Sequence, residues 1–229
     1  IILEEKVKIV FTSAGSPKAY TETLQKEGIK VAHVVSSTKF AIKCEEAGVD
    51  AIVAEGFEAG GHNGRDETTT FCLIPNVKNH ISKPLIAAGG IALGSQMKAA
   101  MILGADGVQI GSRFAATVEA SAHNNWKNKI VDLNEGDTHL TLKELAPVRM
   151  VKNKFFHDLE NLYETGRNAE ALKETLGRAR AKKGMFEGDL EEGELEIGQV
   201  SALIHEILPV EKVFENLLRE FRASSVEDL

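Results

Sequence analysis

One histidine stands in a glycine-rich stretch, where its side chain could take or give a proton. The stretch runs from Ala51 to Asn76 and reads AIVAEGFEAGGHNGRDETTTFCLIPN, and the histidine is His62. A short apolar run leads into the glycines, as when a strand ends in a loop at the catalytic end of an α/β enzyme. Imidazole titrates near neutral pH, so His62 is suited to act on a carbon acid or to hydrogen-bond a substrate. The plainer alternative is a histidine on a surface loop.

Three more glycine-bearing segments close apolar runs: Thr12–Pro17 (TSAGSP), Ala87–Gly94 (AAGGIALG) and Ile110–Arg113 (IGSR). Two successive loops with glycine amides and a hydroxyl, beside a helix N-terminus, form the phosphate cradle of a (β/α)8 barrel. Glycine lets the backbone approach the anion, and the amide dipoles favour its charge. Gly89, Gly90 and Gly111 are therefore candidates for phosphate binding. The alternative is that they only form tight turns.

The elements that must position these loops alternate between strand and helix. Apolar runs rich in β-branched residues predict strands at Val7–Thr12, Lys30–Val35, Ala51–Ala54, Pro84–Ala88 and Gly107–Ile110. Helical periodicity fills the intervals, at Lys18–Glu27, Thr38–Ala47, Thr70–His80 and Ser95–Leu103. This alternation predicts a parallel sheet whose apolar strands are covered on both faces. The phrases EAGVDAIVA and ILGADGVQI indicate that one type of αβ turn is used twice.

After Phe114 the alternation stops and helical periodicity dominates. We expect helices at Ser121–Leu133, Thr141–Val151, Lys154–Thr165, Ala169–Lys182, Ile197–Glu206 and Val210–Phe221. The charged, glycine-bearing segment Lys182–Glu196 predicts a solvated surface connector. The sequence therefore divides into a barrel-like part, residues 1–120, and a helical part that packs on it, residues 121–229.

Composition narrows the class of partner. A net charge of -7 disfavours nucleic acid and anionic membranes, which leaves a small-molecule substrate. Cys44 and Cys72 belong to no Cys or His cluster, so we expect two buried thiols in a reducing compartment and neither a disulfide nor a metal site. No apolar run approaches the ~18 residues of a membrane span and no signal peptide opens the sequence, so we expect a cytoplasmic protein.

Three motifs in fixed order carry a family resemblance: GFEAGGHNG, AAGGIALG and VQIGSRF. They resemble the FMN-dependent nitronate monooxygenases, formerly called 2-nitropropane dioxygenases. They are equally similar to the flavin-dependent enoyl-ACP reductases of the second type, which share the barrel. The resemblance extends from about Ile1 to Phe221. It implies that Gly90, Gly111 and Ser112 bind the FMN phosphate, with Gly89 beside them.

The same resemblance implies roles nearer the flavin ring. Gly60 and Gly61 fall where the family's backbone passes the isoalloxazine. His62 matches the histidine that faces substrate over the flavin, which is the proposed base of the monooxygenases and an essential group of the reductases. The late segment GELEIGQVSALI resembles one that folds back toward the barrel mouth, where Gln199 would approach the site.

The resemblance also implies a TIM (β/α)8-type barrel, of which the five predicted strands align with strands four to eight. Without the first three strands, a sheet edge and the barrel interior would be exposed. We therefore expect this chain to be the C-terminal portion of a longer polypeptide.

The function implied is an FMN-dependent oxidoreductase of the nitronate monooxygenase type. His62 would take the α-proton of a nitroalkane or hydrogen-bond a nitronate, and FMN with oxygen would complete oxidation to a carbonyl compound and nitrite. One alternative is an enoyl-ACP reductase that passes hydride from NAD(P)H through FMN to an enoyl thioester, and the TSAGSP loop is closer to that group. A second alternative is a non-catalytic barrel fragment. The apolar faces of the C-terminal helices offer a surface for a homodimer.

Overall fold

A computed structural model describes residues 1–164 and 169–224 of the chain. Its strands are β1 (Ile9–Thr12), β2 (Lys30–Val35), β3 (Ala51–Glu55), β4 (Gly61–His62), β5 (Leu85–Ala88), β6 (Gly107–Gln109), β7 (Thr138–Thr141) and β8 (Val148–Val151). The main sheet is parallel and five-stranded, in the order β1-β2-β3-β5-β6. These are the five strands predicted from the sequence, with small differences at their ends.

The helices of the described residues are α1 (Thr21–Lys26), α2 (Thr38–Glu46), α3 (Thr70–Lys78), α4 (Gly94–Ile102), α5 (Ser112–Ala115), α6 (Asn124–Val131), α7 (Lys154–Glu164), α8 (Ala169–Leu176), α9 (Arg180–Met185) and α10 (Val210–Ala223). Short 3-10 turns add Pro17–Ala19 and Gln199–Leu203. The first four helices alternate with the parallel strands, as predicted for βα units. The architecture is therefore an α/β fold with a curled parallel sheet.

The main sheet buries apolar side chains on both faces. On one face, Ile52 and Leu85 pack with helix residues such as Leu73 in the largest core cluster. On the other face, Ala32 and Val53 belong to a separate cluster of small side chains. Alternate residues of a strand point to opposite faces, so the central strands carry apolar side chains on both faces of the sheet.

The edge strand β1 departs from that expectation. Its outer residues Ile9 and Phe11 are 58% and 51% exposed, although both are large and apolar. Phe11 pairs in register with Ala32, so its side chain lies on the same face as that alanine. The prediction that every strand is covered on both faces is wrong for β1.

A second, antiparallel sheet has the order β4-β8-β7 and corrects the helix predicted at Thr141–Val151. That segment instead contains the turn between β7 and β8. Pro147 has no amide hydrogen for a helical bond, and the valines that follow it favour a strand. This sheet joins β4, from residues 1–120, to β7 and β8, from residues 121–229. The predicted division of the chain at residue 120 stays a prediction.

Three helix predictions in the second half are confirmed. Ser121–Leu133 contains α6, Lys154–Thr165 contains α7, and Val210–Phe221 lies within α10. Residue 165 lies outside the described residues, so the end of the second prediction stays open. Each of these helices shows the apolar periodicity from which it was predicted.

Two other helix predictions hold only in part. The predicted helix Ala169–Lys182 is divided into α8 and α9, because Gly177 takes a φ of 62° after α8. The predicted helix Ile197–Glu206 forms only a short 3-10 turn. Its first residue, Ile197, is buried in the core cluster that includes Trp126.

The segment Lys182–Glu196 is only partly the solvated connector that its charges predict. Glu194 and Leu195 are 7% and 0% exposed, and Leu195 packs beside Trp126. The backbone amide of Val151 donates to the Leu195 carbonyl at 2.9 Å, so the segment is attached to β8. The prediction rested on charge density alone and did not identify Leu195, the apolar residue that anchors this segment.

The two cysteines differ from each other. Cys44 on α2 is buried in the main core cluster, as predicted. Cys72 on α3 is exposed, so the prediction of two buried thiols is wrong for this residue. Its neighbour Phe71 is also exposed, because this side of the helix faces away from the sheet.

Candidate functional site

His62 lies on a segment that leaves the carboxyl end of β3 and returns to pair with β8. The bridge His62–Val148 holds it in the two-residue strand β4. The imidazole is exposed and lines a cavity of about 750 Å³. The sequence placed His62 on a free loop, whereas the second sheet fixes its backbone.

The segment between β3 and His62 is held by hydrogen bonds at its centre. The Glu58 carboxylate accepts from the Thr70 amide at 2.9 and 3.1 Å and from the Thr70 hydroxyl at 3.1 Å. The Asn63 side-chain amide donates to the Ala59 carbonyl at 2.9 Å. These bonds connect the segment to the start of α3 and to itself, so the strand exit has a defined shape.

The Gly89–Gly90 turn follows β5 and packs on the same segment. Gly89 has a φ of 84°, and a Cβ atom there would lie 2.7 Å from the Gly56 carbonyl oxygen. The Thr70 hydroxyl, which lies between the two turns, also contacts the Gly89 carbonyl oxygen at 2.9 Å. A side chain at Gly89 would therefore displace the His62 segment.

The third strand exit presents Gly111 and Ser112 after β6. A Cβ atom on Gly111 would meet no atom within 4 Å, so this backbone faces open space. The amide of Gly198 donates to the Ser112 Oγ at 3.0 Å. Because that bond uses an oxygen lone pair, the Ser112 hydroxyl hydrogen remains able to donate to a ligand.

One cavity of about 280 Å³ joins these strand exits. Its lining includes five of the residues predicted to bind cofactor: Gly60, Gly89, Gly90, Gly111 and Ser112. His62 lines the larger cavity, and Gly61 packs against Glu196. Glu55 lines both cavities, which are therefore neighbours. The structure brings the predicted residues to one end of the sheet.

Several lining residues escaped the sequence analysis. Glu55 ends strand β3 and Gln109 ends strand β6. Each is a polar residue at the end of an apolar run, and this pattern could have identified them as candidates for the site. Glu196 had no such signal, since it lies in a highly charged segment. Gln199 does reach this region, but through its backbone amide, which donates to the Glu58 carbonyl at 2.9 Å. Its side chain is exposed.

Burial controls the charge of the smaller cavity. It raises the pKa of Glu55 to about 7. Burial also raises the pKa of Glu196, and the charge of His62 acts in the opposite direction. The third carboxyl, Glu58, is engaged by Thr70. The cavity is thus less negative near neutral pH than its three carboxyl groups suggest.

The larger cavity has a mixed lining. The Thr12 hydroxyl lies 2.7 Å from Nδ1 of His33, and burial lowers the pKa of this histidine. Lys18 and Lys43 extend from its rim. Ser13 and Ser16 of the TSAGSP loop complete one wall, so the cavity offers hydroxyl, imidazole and ammonium groups to a ligand.

Sequence comparison gives a consistent family. The family model described as nitronate monooxygenase matches residues 1–220. A probable nitronate monooxygenase of Bacillus subtilis is 34% identical over 229 residues, which cover 96% of this chain and 66% of the relative. One of Staphylococcus saprophyticus is 31% identical over 231 residues and is covered to 64% of its length. The chain thus spans about two thirds of the length of these relatives.

Solved structures support the same grouping. FabK from Thermotoga maritima is 42% identical with a TM-score of 0.88, over 96% of this chain and 70% of that one. A nitroalkane oxidase from Streptomyces ansochromogenes is 28% identical with a TM-score of 0.78, over 96% of this chain and 66% of that one.

Two further properties concern residues 1–164 and 169–224 only. Within them, no helix combines the length and apolar character needed to cross a bilayer. The same residues contain no group of three or more His, Cys, Asp or Glu side chains arranged to hold a metal ion. The family match over residues 1–220, together with the strand-exit motifs assembled around one cavity, places this chain in the nitronate monooxygenase family.

Proposed function

We propose that this chain carries the flavin site of an FMN-dependent oxidoreductase that oxidises nitronates with oxygen. The observation that carries the proposal is the adjacency of two cavities, one lined by the glycines of three strand exits and the other by His62. Relatives named as probable nitronate monooxygenases and a solved nitroalkane oxidase support it. The proposed substrate rests on this pairing and on the named relatives, of which the chain spans about two thirds.

The smaller cavity fits the phosphate end of FMN. Gly90 and Gly111 line the cavity and have no side chains, so an anion can approach their backbone amide groups. The Ser112 hydroxyl is oriented by Gly198 and can donate a further hydrogen bond. With a pKa of about 7, Glu55 is about half neutral at that pH and largely neutral below it, which limits its repulsion of a phosphate. Gly60, Gly61 and Gly89 complete the proposed cofactor-binding set.

When bound, FMN supplies the ability to accept electrons from the substrate and to pass them to oxygen. The chain supplies placement and proton transfer. With a neutral nitroalkane, an imidazole nitrogen of His62 accepts the α-proton, and the electron pair of the C–H bond enters the nitro group to give the nitronate. With a nitronate supplied as such, His62 donates a hydrogen bond to the anion. His62 is thus the proposed catalytic residue.

The proposed fold of the whole site is a (β/α)8 barrel. The five parallel strands described here would be its strands four to eight. Support comes from the two solved structures, of which this chain covers 70% and 66% with TM-scores of 0.88 and 0.78. The side chains of Ile9 and Phe11 on β1 are exposed on the face that would line the interior of such a barrel, where the remaining strands would cover them.

Oxygen consumption with propyl-2-nitronate, without nicotinamide, tests the proposed function. We expect the yellow, FMN-loaded protein to consume oxygen and release nitrite. With the neutral nitroalkane 2-nitropropane as substrate, His62→Ala should retain FMN and lose about 10²- to 10⁴-fold in turnover, the usual effect of removing an acid–base group. Retention of FMN is read from the absorbance spectrum. Unchanged turnover in that variant would remove His62 from the mechanism.

A second candidate function is the reduction of enoyl thioesters by NAD(P)H. The observation that favours it is the TSAGSP loop, whose residues Ser13 and Ser16 line the same cavity as His62. Rapid flavin reduction by NADH followed by turnover of crotonyl-CoA, with no oxidation of nitronates, would select this reaction. A colourless protein whose melting temperature does not rise with added FMN would instead support a non-catalytic barrel fragment.

A further inference from the structure

Arg113 directly follows Ser112 in α5, but its side chain lines a different cavity from that of Ser112. Arg113 is 8% exposed and lines a cavity of about 240 Å³ beside α10. Its Nη1 donates to the Ala116 carbonyl at 3.4 Å and to the Glu206 carbonyl at 3.1 Å. Glu206 follows Arg113 by 93 residues, so this buried side chain connects α5 to a segment that is distant in the sequence.

The segment Gly198–Glu206 is attached to α5 at both of its ends. At its start, the Gly198 amide donates to the Ser112 Oγ at 3.0 Å. At its end, the Glu206 carbonyl accepts from the Arg113 guanidinium. Ser112 and Arg113 are consecutive residues, so one turn of α5 holds both ends of this segment.

Between these attachments, the segment contributes to the wall of the smaller cavity. Val200 lines that cavity and packs with Ile204 in the core cluster that includes Trp126. The Ser201 amide donates to the Gly198 carbonyl at 3.0 Å, and the Ile204 amide donates to the Ser201 carbonyl at 2.9 Å. Because a short 3-10 turn has few internal hydrogen bonds, its position depends on the attachments at its ends.

Two carboxylates compensate the charge of the buried guanidinium. Burial lowers the pKa of Arg113, whereas the charges of Glu206 and Glu220 raise it. Oε2 of Glu220 also accepts from the Gly94 amide at 2.8 Å, which fixes this carboxylate at the start of α4. An arginine side chain stays protonated in proteins, so the bond from Arg113 to the Glu206 carbonyl is charge-assisted and stronger than one between neutral groups.

We infer that Arg113 is a positioning residue for the phosphate site. Its guanidinium holds the segment Gly198–Glu206 against α5, so that the Gly198 amide keeps the Ser112 hydroxyl directed at the FMN phosphate. This inference rests on the proposed function. Arg113 itself forms no bond to the cofactor, and its loss would release one end of the segment that orients Ser112.

The comparison of FMN with riboflavin separates this role from a general loss of structure, because riboflavin has the same ring and lacks the phosphate. We expect Arg113→Met to weaken FMN binding about tenfold, the usual effect of losing a charge-assisted hydrogen bond. Riboflavin binding should stay within about twofold of the wild type. Quenching of flavin fluorescence on titration with protein measures both affinities. Equal losses with the two ligands, or no loss with FMN, would overturn the inference.

The matched control is Lys127→Met. Lys127 is 5% exposed and its Nζ donates to the Val118 carbonyl at 3.0 Å, so this variant also removes a buried cation that contacts a backbone carbonyl. It should keep the FMN affinity within about twofold of the wild type. Arg113→Lys should restore part of the affinity lost in Arg113→Met, because an ammonium can still donate to the Glu206 carbonyl. A loss in Lys127→Met as large as that in Arg113→Met would trace the effect to general destabilisation and overturn the positioning role.

Hydrogen exchange tests the attachment without flavin. In Arg113→Met, the amides of Ser201 and Ile204 should exchange about tenfold faster than in the wild type, because the segment opens more often. The Ile52 amide, which donates to the Pro84 carbonyl at 3.0 Å in the main sheet, should change less. Unchanged exchange at Ser201 and Ile204, or equal acceleration at Ile52, would overturn the inference even if FMN binds. Faster exchange confined to the segment, in a protein that binds no FMN, would support the attachment while the proposed function fails.

Discussion

The guanidinium of Arg149 donates two hydrogen bonds to the backbone carbonyl of Phe57, from Nε at 3.2 Å and from Nη2 at 3.1 Å. Arg149 lies on β8 and is 2% exposed, whereas Phe57 belongs to the segment that leads to His62. The guanidinium carbon also lies 4.5 Å from the centre of the Phe57 ring. One buried side chain therefore ties the second sheet to the segment that carries the proposed base.

Arg149→Met should destabilise the protein through this contact. The variant keeps an apolar side chain of similar length but leaves the Phe57 carbonyl without two donors, so we expect the free energy of unfolding to fall by about 2–3 kcal/mol. Urea unfolding followed by circular dichroism measures it. Arg219→Met on the exposed side of α10 is the control and should change stability by less than about 0.5 kcal/mol. Equal midpoints for both variants would contradict the anchoring role.

Two glycines with open space around them give a matched test of the cofactor cavity. A Cβ atom would meet no atom within 4 Å at either Gly111 or Gly107, so neither position restricts a side chain sterically. Only Gly111 lines the smaller cavity. Gly111→Val should therefore fold normally and bind FMN at least about tenfold more weakly, a change of about 1.4 kcal/mol.

Quenching of flavin fluorescence on titration with protein measures this affinity, and thermal unfolding without FMN checks the fold. Gly107→Val places the same side chain two residues before Gln109, the first residue of this strand that lines the cavity, and should keep the wild-type affinity. If both variants bind FMN as the wild type does, the phosphate end of the cofactor lies elsewhere.

The raised pKa of Glu55 leads us to expect that the free energy of unfolding depends on pH. Burial raises its pKa to about 7 in the folded protein, whereas an unfolded glutamate titrates near ~4.3. Between these values the folded state binds more protons than the unfolded state, so stability falls as pH rises through this window. Glu55→Gln removes that loss. We expect the variant to gain on the order of 2 kcal/mol relative to the wild type between pH 4.5 and pH 8.

Urea unfolding at several pH values, without flavin, reads this difference directly. Glu46→Gln on α2 changes an exposed carboxyl and should follow the wild type across the range. Parallel stability curves for Glu55→Gln and the wild type would mean that the Glu55 carboxyl is solvated in the folded protein.

The predictable part of this fold depends on local signals. Each strand of the main sheet is an apolar run that ends in glycine or a polar residue, so its position follows from the sequence alone. Gly89 could be predicted as a turn residue because paired glycines follow an apolar run, and its role in binding phosphate stays a prediction. The structure gives a steric reason for a glycine at this position, since a Cβ atom there would lie 2.7 Å from the Gly56 carbonyl oxygen.

The unpredicted part depends on partners distant in the sequence. The helix expected at Thr141–Val151 has suitable apolar spacing, but β8 gains its pairing from β4 and β7, and Pro147 lacks the amide hydrogen that a helix would use there. Glu196 lies in a charged segment that is typical of a solvated loop, but the burial of Leu195 beside it places the Glu196 carboxyl against Gly61 and in the lining of the smaller cavity. No local pattern encodes such a contact.

The repeated αβ turn supplies the last prediction. Asp50 Oδ2 accepts from the Val31 amide at 2.9 Å, just as Asp106 Oδ2 accepts from the Leu85 amide at 2.9 Å, so the two similar phrases form the same contact with the neighbouring strand. Burial alone would raise the pKa of Asp50, but hydrogen bonds from Gln25, Lys30 and the Val31 amide lower it to about 2.

A lowered pKa in the folded protein contributes stability above the unfolded pKa near ~3.9, and this contribution is lost as pH falls toward 2. Asp50→Asn should therefore cost about 1–2 kcal/mol at pH 6, and the gap from the wild type should narrow by pH 3. Urea midpoints at the two pH values measure it. Asp106→Asn alters the same turn where the carboxylate is 52% exposed, so its effect should be smaller. A gap for Asp50→Asn that stays constant with pH would show that the amide loses packing rather than charge, because only the ionised carboxylate responds to protonation.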